Sequence, residues 1–241
     1  MKKAILNFSD HFYGLKDDSN CKRYINGQKR LRNSLKSNFN GDLLFYNSEK
    51  EVPCKSHREI HYGFKPAMIE KAMNMGYELM FWCDSSVYVR KNMQPIFDRI
   101  ERDGYFILAQ GNLGDVSSGE WCCDSALEPL KLTREESFKI PHCVATVFGL
   151  DLRKNKEFFN EYFALGKDGR AFNGPWNNRE KQASSDPRVQ GHRHDQTVLS
   201  VLAWRHGMKN WIESDEKLNH WLSGHYDGYK YPNSILVMSP V

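Results

Sequence analysis

Residues 65–89 read KPAMIEKAMNMGYELMFWCDSSVYV and contain the pattern that decides the fold. Pro66 stands in the first turn of a helical pattern, and Gly76 stands just past its end, so both helix boundaries are marked. The continuous apolar run at 77–83 has the length of a buried strand, and the polar triplet at 84–86 ends it abruptly. A buried strand that ends in a carboxylate and two hydroxyls is typical of the carboxyl end of a strand in α/β proteins, where ligands bind.

Strand and helix patterns alternate on both sides of this stretch. Further strands are predicted at 4–8, 42–46, 105–109 and 143–150, and further helices at 21–37, 93–102 and 195–206. The segment 166–191 is polar and rich in Gly, Asn and Pro, which predicts a long functional loop. The alternation predicts an α/β fold with a mixed sheet, and no repeat or linker divides the chain, so we expect one domain over residues 1–241.

The composition excludes several classes of protein. Among the 241 residues, 34 are basic and 30 acidic, and a net charge of +4 is too small for a nucleic-acid binder. With 40% apolar and 27% charged residues the chain is not disordered. No apolar run approaches the ~20 residues that span a bilayer, so we expect no transmembrane segment. The early end of the N-terminal apolar stretch argues against a signal peptide, and six cysteines without paired spacing suggest reduced thiols, so we expect a cytoplasmic protein.

Several common catalytic motifs are missing from the sequence. No GxGxxG follows the first predicted strand, which argues against a dinucleotide-binding protein. No GxxxxGK[ST] is present, which argues against a P-loop protein. No GxSxG is present, which argues against an α/β-hydrolase. The chemistry must therefore come from other polar clusters.

Asp84, Ser85 and Ser86 form the first such cluster. A carboxylate at a strand end can hold a divalent cation, and the cation can then hold a diphosphate. The same three residues can equally form a turn that merely ends the strand. The residues alone leave both interpretations open.

The second and third clusters are His192-Arg193-His194-Asp195-Gln196 and the segment 225–232, HYDGYKYP. Asp195 can cap the helix that follows, or it can join the two histidines in a metal cluster such as zinc hydrolases use. In the third cluster a His, a Gly and a Lys can bind a cation and a phosphate, or the three tyrosines can simply pack on the core.

Taken in order, these motifs resemble those of glycosyltransferases with the GT-A fold. Residues 65–89 look like the helix, strand and Asp-x-Asp motif that binds a metal and the diphosphate of a sugar nucleotide. Residues 193–207 resemble the segment in which an Asp-Gln pair begins a helix beside the donor sugar. Residues 225–232 are similar to the His-x-x-Gly-x-x-Lys-Pro tail of glycogenin-like and galactinol-synthase-like members, with one residue fewer between Gly and Lys. The likeness covers roughly residues 62–232.

The resemblance implies a single GT-A-like, Rossmann-like domain with a mixed, mainly parallel central sheet flanked by helices. Its nucleotide-binding half would comprise residues 1–110 and its acceptor half residues 111–241. It implies transfer of a sugar from a UDP- or GDP-type donor to a glycan, lipid or protein acceptor, and no nucleic acid as partner. Whether the anomeric configuration is inverted or retained stays open.

The resemblance also assigns roles to individual residues. Asp195 is the expected catalytic residue, and Asp84, Ser86 and His225 are the expected ligands of Mn²⁺ or Mg²⁺. Ser86 stands where the family has its second Asp. The metal could therefore bind weakly, or the site could work without a metal. In the second case Lys230 and the basic helix at 21–37 would neutralise the diphosphate instead. The expected donor-binding residues are Asn7, Ser9, Asp10, Lys65, Asp84, Ser85, Ser86, Gln196, Gly228 and Lys230.

Two other functions remain open from the sequence. One is a metal-dependent hydrolase built on His192, His194 and Asp195. The other is a catalytically inactive sugar-nucleotide-binding protein that has lost its second Asp, with Ser86 as the residue that suggests it.

Overall fold

The computed structural model describes residues 1–10, 18–225 and 229–239, which form layers of helices around a mixed β-sheet. The strands are β1 (Lys3–Phe8), β2 (Asp42–Tyr46), β3 (Leu79–Cys83), β4 (Val87–Val89), β5 (Tyr105–Phe106), β6 (Val147–Asp151), β7 (Leu222–Gly224) and β8 (Leu236–Met238). The α-helices are α1 (Asp18–Leu35), α2 (Phe64–Asn74), α3 (Gln94–Asp103), α4 (Asp124–Leu127), α5 (Arg134–Phe138), α6 (Lys156–Asp168), α7 (His194–Arg205) and α8 (Ser214–Glu216). Short 3₁₀ turns lie at Glu49–Glu51, Ser118–Trp121 and Arg179–Lys181, and a π-helical turn lies at Lys217–Trp221.

Within these described ranges the central sheet has five strands in the order β2-β1-β3-β6-β5. Strand β1 pairs in parallel with β2 and β3, whereas β6 runs antiparallel to β3 and β5. Four of the five strands therefore point the same way, since only β6 is reversed. The predicted α/β fold with a mixed, mainly parallel sheet flanked by helices is confirmed. A smaller sheet has the order β4-β8-β7.

The strand order reverses between β1 and β3. From β1 the chain passes to β2 on one side, and after α2 it returns to β3 on the other side of β1. The segments that follow β1 and β3 therefore turn away from each other, and a crevice opens between them outside the carboxyl ends of the two strands. Such a switch point is where open α/β sheets bind ligands.

Both faces of the central sheet are buried. In β3, Met80 and Trp82 join the cluster packed under α2, α6 and α7, whereas Phe81 joins the cluster on the opposite face, which includes Phe97 of α3. Successive side chains of a strand point to opposite faces, so a strand covered on both sides must be apolar throughout. This burial explains the unbroken apolar run that the sequence shows at this strand.

The predicted elements differ from the observed ones mainly at their boundaries, whereas α4, α5, α6, α8, β7 and β8 were not predicted. Helix α2 begins at Phe64, and Gly76 beyond its end adopts φ +77°, the left-handed conformation that favours glycine. The predicted loop at 166–191 starts three residues later, because α6 continues to Asp168. None of the helices in the described ranges is long and apolar enough to cross a membrane.

Candidate active site at the strand switch point

A cavity of about 190 Å³ lies outside the carboxyl ends of β1 and β3. Its lining combines polar residues that follow the two strands with aromatic side chains. The lining residues are Phe8, Ser9, Asp10, Tyr24, Tyr62, Phe64, Trp82, Asp84, Ser85 and Ser86. Five of the predicted donor-binding residues therefore share one cavity, at the position where the topology places a ligand site.

Lys65 lies beneath this cavity and joins it to α7. Its Nζ is 2.6 Å from Oδ2 of Asp195, 3.4 Å from Oδ1 of Asp84, and 2.9 Å from the backbone oxygen of Ala145, to which it donates a hydrogen bond. The Lys65 side chain is 2% exposed and that of Asp195 is 8% exposed, so this ion pair is shielded from water. The three contacts join the ammonium group to two carboxylates and one backbone oxygen, and the donor-binding role of Lys65 remains a prediction.

The charges of these groups depend on one another. Burial on its own would lower the pKa of Lys65, but the carboxylates of Asp195 and Asp84 outweigh it, and the net shift of the pKa is upward. Burial raises the pKa of Asp195, and the Lys65 ammonium opposes that shift. Lys65 therefore keeps its proton at neutral pH and is the counter-charge that allows a carboxylate to be buried here.

Asp84 is oriented by the residue two positions before it. Nε1 of Trp82 donates a hydrogen bond to Oδ1 of Asp84 at 2.6 Å, so the two contacts that fix this carboxylate, from Trp82 and Lys65, both fall on Oδ1. The Asp84 side chain is 33% exposed and lines the cavity. Its position makes it the most accessible carboxylate of the Lys65 cluster.

Asn7 and Ser85 hold the ends of β1 and β3 together. Nδ2 of Asn7 donates hydrogen bonds to the backbone oxygen of Cys83 at 2.6 Å and to Oγ of Ser85 at 3.2 Å. Gln28 of α1 in turn donates to Oδ1 of Asn7 at 2.8 Å. Asn7 is fully buried, so it supports the cavity from below, whereas Ser85 contributes to its wall.

Ser9 and Asp10 form the β1 side of the cavity. Oδ2 of Asp10 accepts a hydrogen bond from the backbone N–H of Glu49 at 2.8 Å, which ties it to the 3₁₀ turn after β2. Oγ of Ser9 is buried and has no hydrogen-bond partner among the described residues. An unpartnered buried hydroxyl beside a cavity is a group that a polar ligand can satisfy.

Ser86 completes the wall next to Asp84. Its backbone oxygen accepts hydrogen bonds from the N–H of Ser239 at 2.7 Å and from Nη2 of Arg30 at 3.4 Å. Among the described lining residues there are two carboxylates, Asp10 and Asp84, and neither a lysine nor an arginine. Asp84 and Ser86 carry oxygen atoms of the kind that Mg²⁺ and Mn²⁺ prefer as ligands, and their metal-ligand role remains a prediction.

The metal cluster proposed for His192, His194 and Asp195 is not formed. Nδ1 of His192 accepts the N–H of Cys123 at 3.4 Å and its Nε2 contacts the backbone oxygen of Ala171 at 3.1 Å, while Asp195 is paired with Lys65. In the described part of the chain no three His, Cys, Asp or Glu side chains are arranged to hold a metal ion. A metal-dependent hydrolase would need these three side chains to bind one metal ion together, and the structure does not arrange them in that way.

The other predicted residues that the structure describes are not among those that line the cavity. Gln196 follows Asp195 on α7 and its Nε2 donates to the backbone oxygen of Cys143 at 2.5 Å. Lys230 is exposed, with Nζ 5.3 Å from the Tyr231 ring, and neither it nor the exposed His225 is among the described lining residues. Gly228 lies outside the described residues. The metal-ligand role of His225 and the donor-binding role of the tail remain predictions.

Sequence reasoning did not identify most of the aromatic side chains that form the walls of the cavity. Phe8 comes from β1, Tyr24 from α1, Phe64 from the start of α2 and Trp82 from β3, and Tyr62 lies in the turn before α2. The high aromatic content was a signal that such a site existed, but the fold is needed to gather these five side chains. Flat aromatic walls suit a planar base or a sugar ring.

The comparisons with known proteins support the fold. No protein-family model matches the chain, and no curated protein matches its sequence. The structure is similar to that of a glycosyltransferase involved in the glycosylation of the major capsid of PBCV-1, with a TM-score of 0.54, 15% identity, and 99% of this chain and 93% of that chain covered.

Two further solved structures are similar to a lesser degree. Mouse xyloside xylosyltransferase 1 in its apo form gives a TM-score of 0.48 at 9% identity, with 99% of this chain and 98% of that chain covered. The galactosyltransferase LgtC, in complex with donor and acceptor sugar analogs, gives 0.43 at 11% identity, with 98% and 86% covered. At these identities it is the fold that the chain shares, and that fold is GT-A-like.

Proposed function

We propose that this protein is a glycosyltransferase that moves a sugar from a nucleoside-diphosphate donor to an acceptor hydroxyl. The observation that carries the proposal is the Asp84–Lys65–Asp195 cluster, which lies at the strand switch point of a GT-A-like fold beside a cavity lined by polar and aromatic groups. A solved structure that shares the fold, with a TM-score of 0.54, is that of a glycosyltransferase.

The nucleoside part of the donor would lie on the β1 side of the cavity. Ser9 offers a buried hydroxyl without a partner among the described residues, and Tyr24 and Phe64 offer aromatic surfaces for a base. The diphosphate would then lie over residues 84–86. Asp84 and Ser86 would hold a divalent cation there, and the cation would neutralise the charge that develops on the leaving diphosphate.

Asp195 would act on the transferred sugar. Its Oδ2 is paired with Lys65, and a sugar hydroxyl would donate a hydrogen bond to the small part of the side chain that is exposed. Held in its charged form by Lys65, the carboxylate would stabilise the positive charge that the sugar develops as the diphosphate leaves. Lys65 acts as a positioning residue, because it orients both carboxylates from beneath.

The test is an assay for nucleoside diphosphate released from UDP- and GDP-sugars, with a mixture of glycosides as acceptor and with Mn²⁺ or Mg²⁺ present. We expect turnover by the wild-type protein and a loss of at least about a hundredfold in Asp195→Asn. Asp215→Asn is the matched control, since Asp215 is an exposed carboxylate of α8 outside the cavity lining. Equal turnover in both variants would contradict the proposal.

Binding without turnover would instead identify the protein as an inactive sugar-nucleotide-binding protein. The observation that favours this second candidate is Ser86, a hydroxyl on the cavity wall where a second carboxylate would bind metal more strongly. Donor binding that survives in the wild-type protein while no acceptor or metal produces nucleoside diphosphate would establish it.

A further inference from the structure

A cluster of imidazole and aromatic rings lies directly beside the Lys65–Asp195 pair. The His194 ring centroid is 4.6 Å from that of His61, 5.2 Å from that of His192 and 4.3 Å from that of Trp176. Tyr62 lies at its edge, with its ring centroid 5.9 Å from that of His194. We call His61, Tyr62, Trp176 and His194 the ring cluster.

His194 carries a buried acceptor atom that nothing in the described chain satisfies. Its Nδ1 contacts the backbone oxygen of Phe172 at 2.8 Å, so Nδ1 bears the proton and Nε2 presents a lone pair. The residue is fully buried, and Nε2 has no hydrogen-bond partner among the described residues. Burial lowers the pKa of His194 to about 4, so the ring is neutral at physiological pH and Nε2 remains an acceptor.

The backbone at His194 is strained as well. Its φ is +46°, in the left-handed region that side chains other than those of Gly, Asn and Asp rarely adopt, and it begins α7 just before Asp195. A strained backbone and an unsatisfied polar atom each cost free energy, and such costs concentrate at ligand sites. Both occur here at one residue next to the proposed catalytic carboxylate.

Trp176 gives the ring cluster an exposed surface. Its side chain is 47% exposed. Its ring lies close beside the His194 ring, and the two ring planes are inclined at 69°. Exposed tryptophans are uncommon because burial of the indole is strongly favourable, and an exposed indole beside a polar group is typical of sites that bind ligands. Exposed side chains also change rotamer rapidly, so the indole can move relative to the His194 ring when a ligand binds.

The ring cluster is continuous with the donor cavity. Tyr62 lines that cavity, and the centroid of its ring is 6.2 Å from that of Trp176 and 5.5 Å from Nζ of Lys65. A molecule on Trp176 would therefore lie next to a sugar held between Asp84 and Asp195. This is the place that the second substrate of a transfer reaction must occupy.

We propose that the ring cluster binds a saccharide acceptor, whose ring packs on the indole of Trp176 and whose hydroxyl donates a hydrogen bond to Nε2 of His194. This inference rests on the proposed function and specifies its acceptor as a glycan. A lone-pair acceptor needs a donor such as a hydroxyl, and an indole face suits the apolar face of a pyranose ring, whereas an acyl chain would leave Nε2 unsatisfied.

The test uses methyl α- and β-glycosides of glucose, galactose, mannose and xylose as probes at millimolar concentration. The indole N–H resonance of Trp176, assigned from Trp176→Phe, reports binding to the folded full chain. We expect at least one glycoside to shift this resonance. Affinities in the wild-type protein and in every variant are compared by the broadening of the glycoside's own proton resonances. We expect the affinity to fall about fivefold in Trp176→Phe and about tenfold in His194→Asn, which tolerates the left-handed backbone but cannot reproduce Nε2.

Trp204→Phe is the matched control, because Trp204 packs against Trp211 outside the ring cluster. It should leave glycoside affinity unchanged, and all three variants should keep the binding of a nucleotide sugar within about twofold. If no glycoside shifts Trp176 while nucleotide sugars still bind, the saccharide subsite is wrong and the donor site stands. If glycosides bind in this way and no nucleotide sugar does, the subsite stands and the transferase proposal fails. A parallel loss of both ligands in His194→Asn would also overturn the subsite, because it would indicate a general structural defect.

Discussion

Nζ of Lys65 lies 2.6 Å from Oδ2 of Asp195, although the two residues are 130 positions apart in the sequence. The contact joins the start of α2 to the start of α7 beneath the cavity, and Asp84 at the end of β3 lies 3.4 Å from the same nitrogen. One buried cation thus connects the three segments that form the proposed donor site. The contribution of this cluster to stability and its contribution to activity can be tested with separate variants.

Replacement of Lys65 by Met should destabilise the protein strongly. The substitution keeps most of the side-chain volume but leaves Asp195 buried without a counter-charge, which typically costs about 3–5 kcal/mol. The free energy of unfolding in urea measures the loss. The double variant Lys65→Met/Asp195→Asn should be more stable than Lys65→Met alone, because the uncompensated charge is removed. A double variant less stable than the single one would contradict this account of the pair.

Asp84→Asn should affect activity far more than stability. The Asp84 side chain is 33% exposed, so loss of its charge should change the free energy of unfolding by less than about 1 kcal/mol. The loss of a carboxylate at the diphosphate position should lower turnover by at least about a hundredfold. Asp98→Asn, an exposed carboxylate of α3 that accepts a hydrogen bond from Gln94, is the matched control. Comparable turnover in the two variants would remove Asp84 from the proposed site.

The stability of the protein should fall as the pH is lowered from 6.5. Burial lowers the pKa of His142 and of His192 to about 3 in the folded protein, whereas an unfolded histidine titrates near 6.5. Between these values the unfolded chain binds a proton at each histidine that the folded chain does not, so the free energy of unfolding decreases as the pH falls. Each of the two should contribute a slope of about 1.4 kcal/mol per pH unit.

Urea unfolding at pH 7.0, 6.0 and 5.0 measures this slope above the range in which most carboxylates titrate. His142→Gln should reduce the slope, because one of the buried histidines no longer binds a proton on unfolding. A profile that is flat between pH 6 and 5, or one that His142→Gln leaves unchanged, would show that these histidines are accessible to protons in the folded state.

Local patterns predicted the framework of the fold well. The apolar run of β3, the Pro and Gly that bracket α2, and the polar triplet 84–86 are all consequences of burial and backbone geometry within a few residues. Such signals require no knowledge of distant parts of the chain. The sequence also showed a signal for α6 that our prediction missed, since Phe158, Phe159, Tyr162 and Phe163 recur at helical spacing and are buried in the structure.

The interior of the site could not be predicted in the same way. Lys65 was expected to bind the donor, and only the tertiary fold brings it into contact with Asp195 and Asp84. The histidines beside Asp195 looked like metal ligands, but the backbone groups that occupy the nitrogens of His192 come from Cys123 and Ala171. Pairings of this kind depend on long-range packing and leave no periodic trace in the sequence.

The binding of nucleotide sugars to the wild-type protein tests the central claim most directly. Thermal unfolding is followed with UDP-, GDP-, CMP- and dTDP-sugars, each with and without Mn²⁺. A donor at 100 times its dissociation constant should stabilise the fold by about 2.7 kcal/mol, a rise in Tm of roughly 2–4 °C, and we expect this for one nucleotide family. The rise should be smaller in Asp84→Asn. If none of these donors shifts the Tm, with or without Mn²⁺, the cavity between β1 and β3 is not a nucleotide-sugar site.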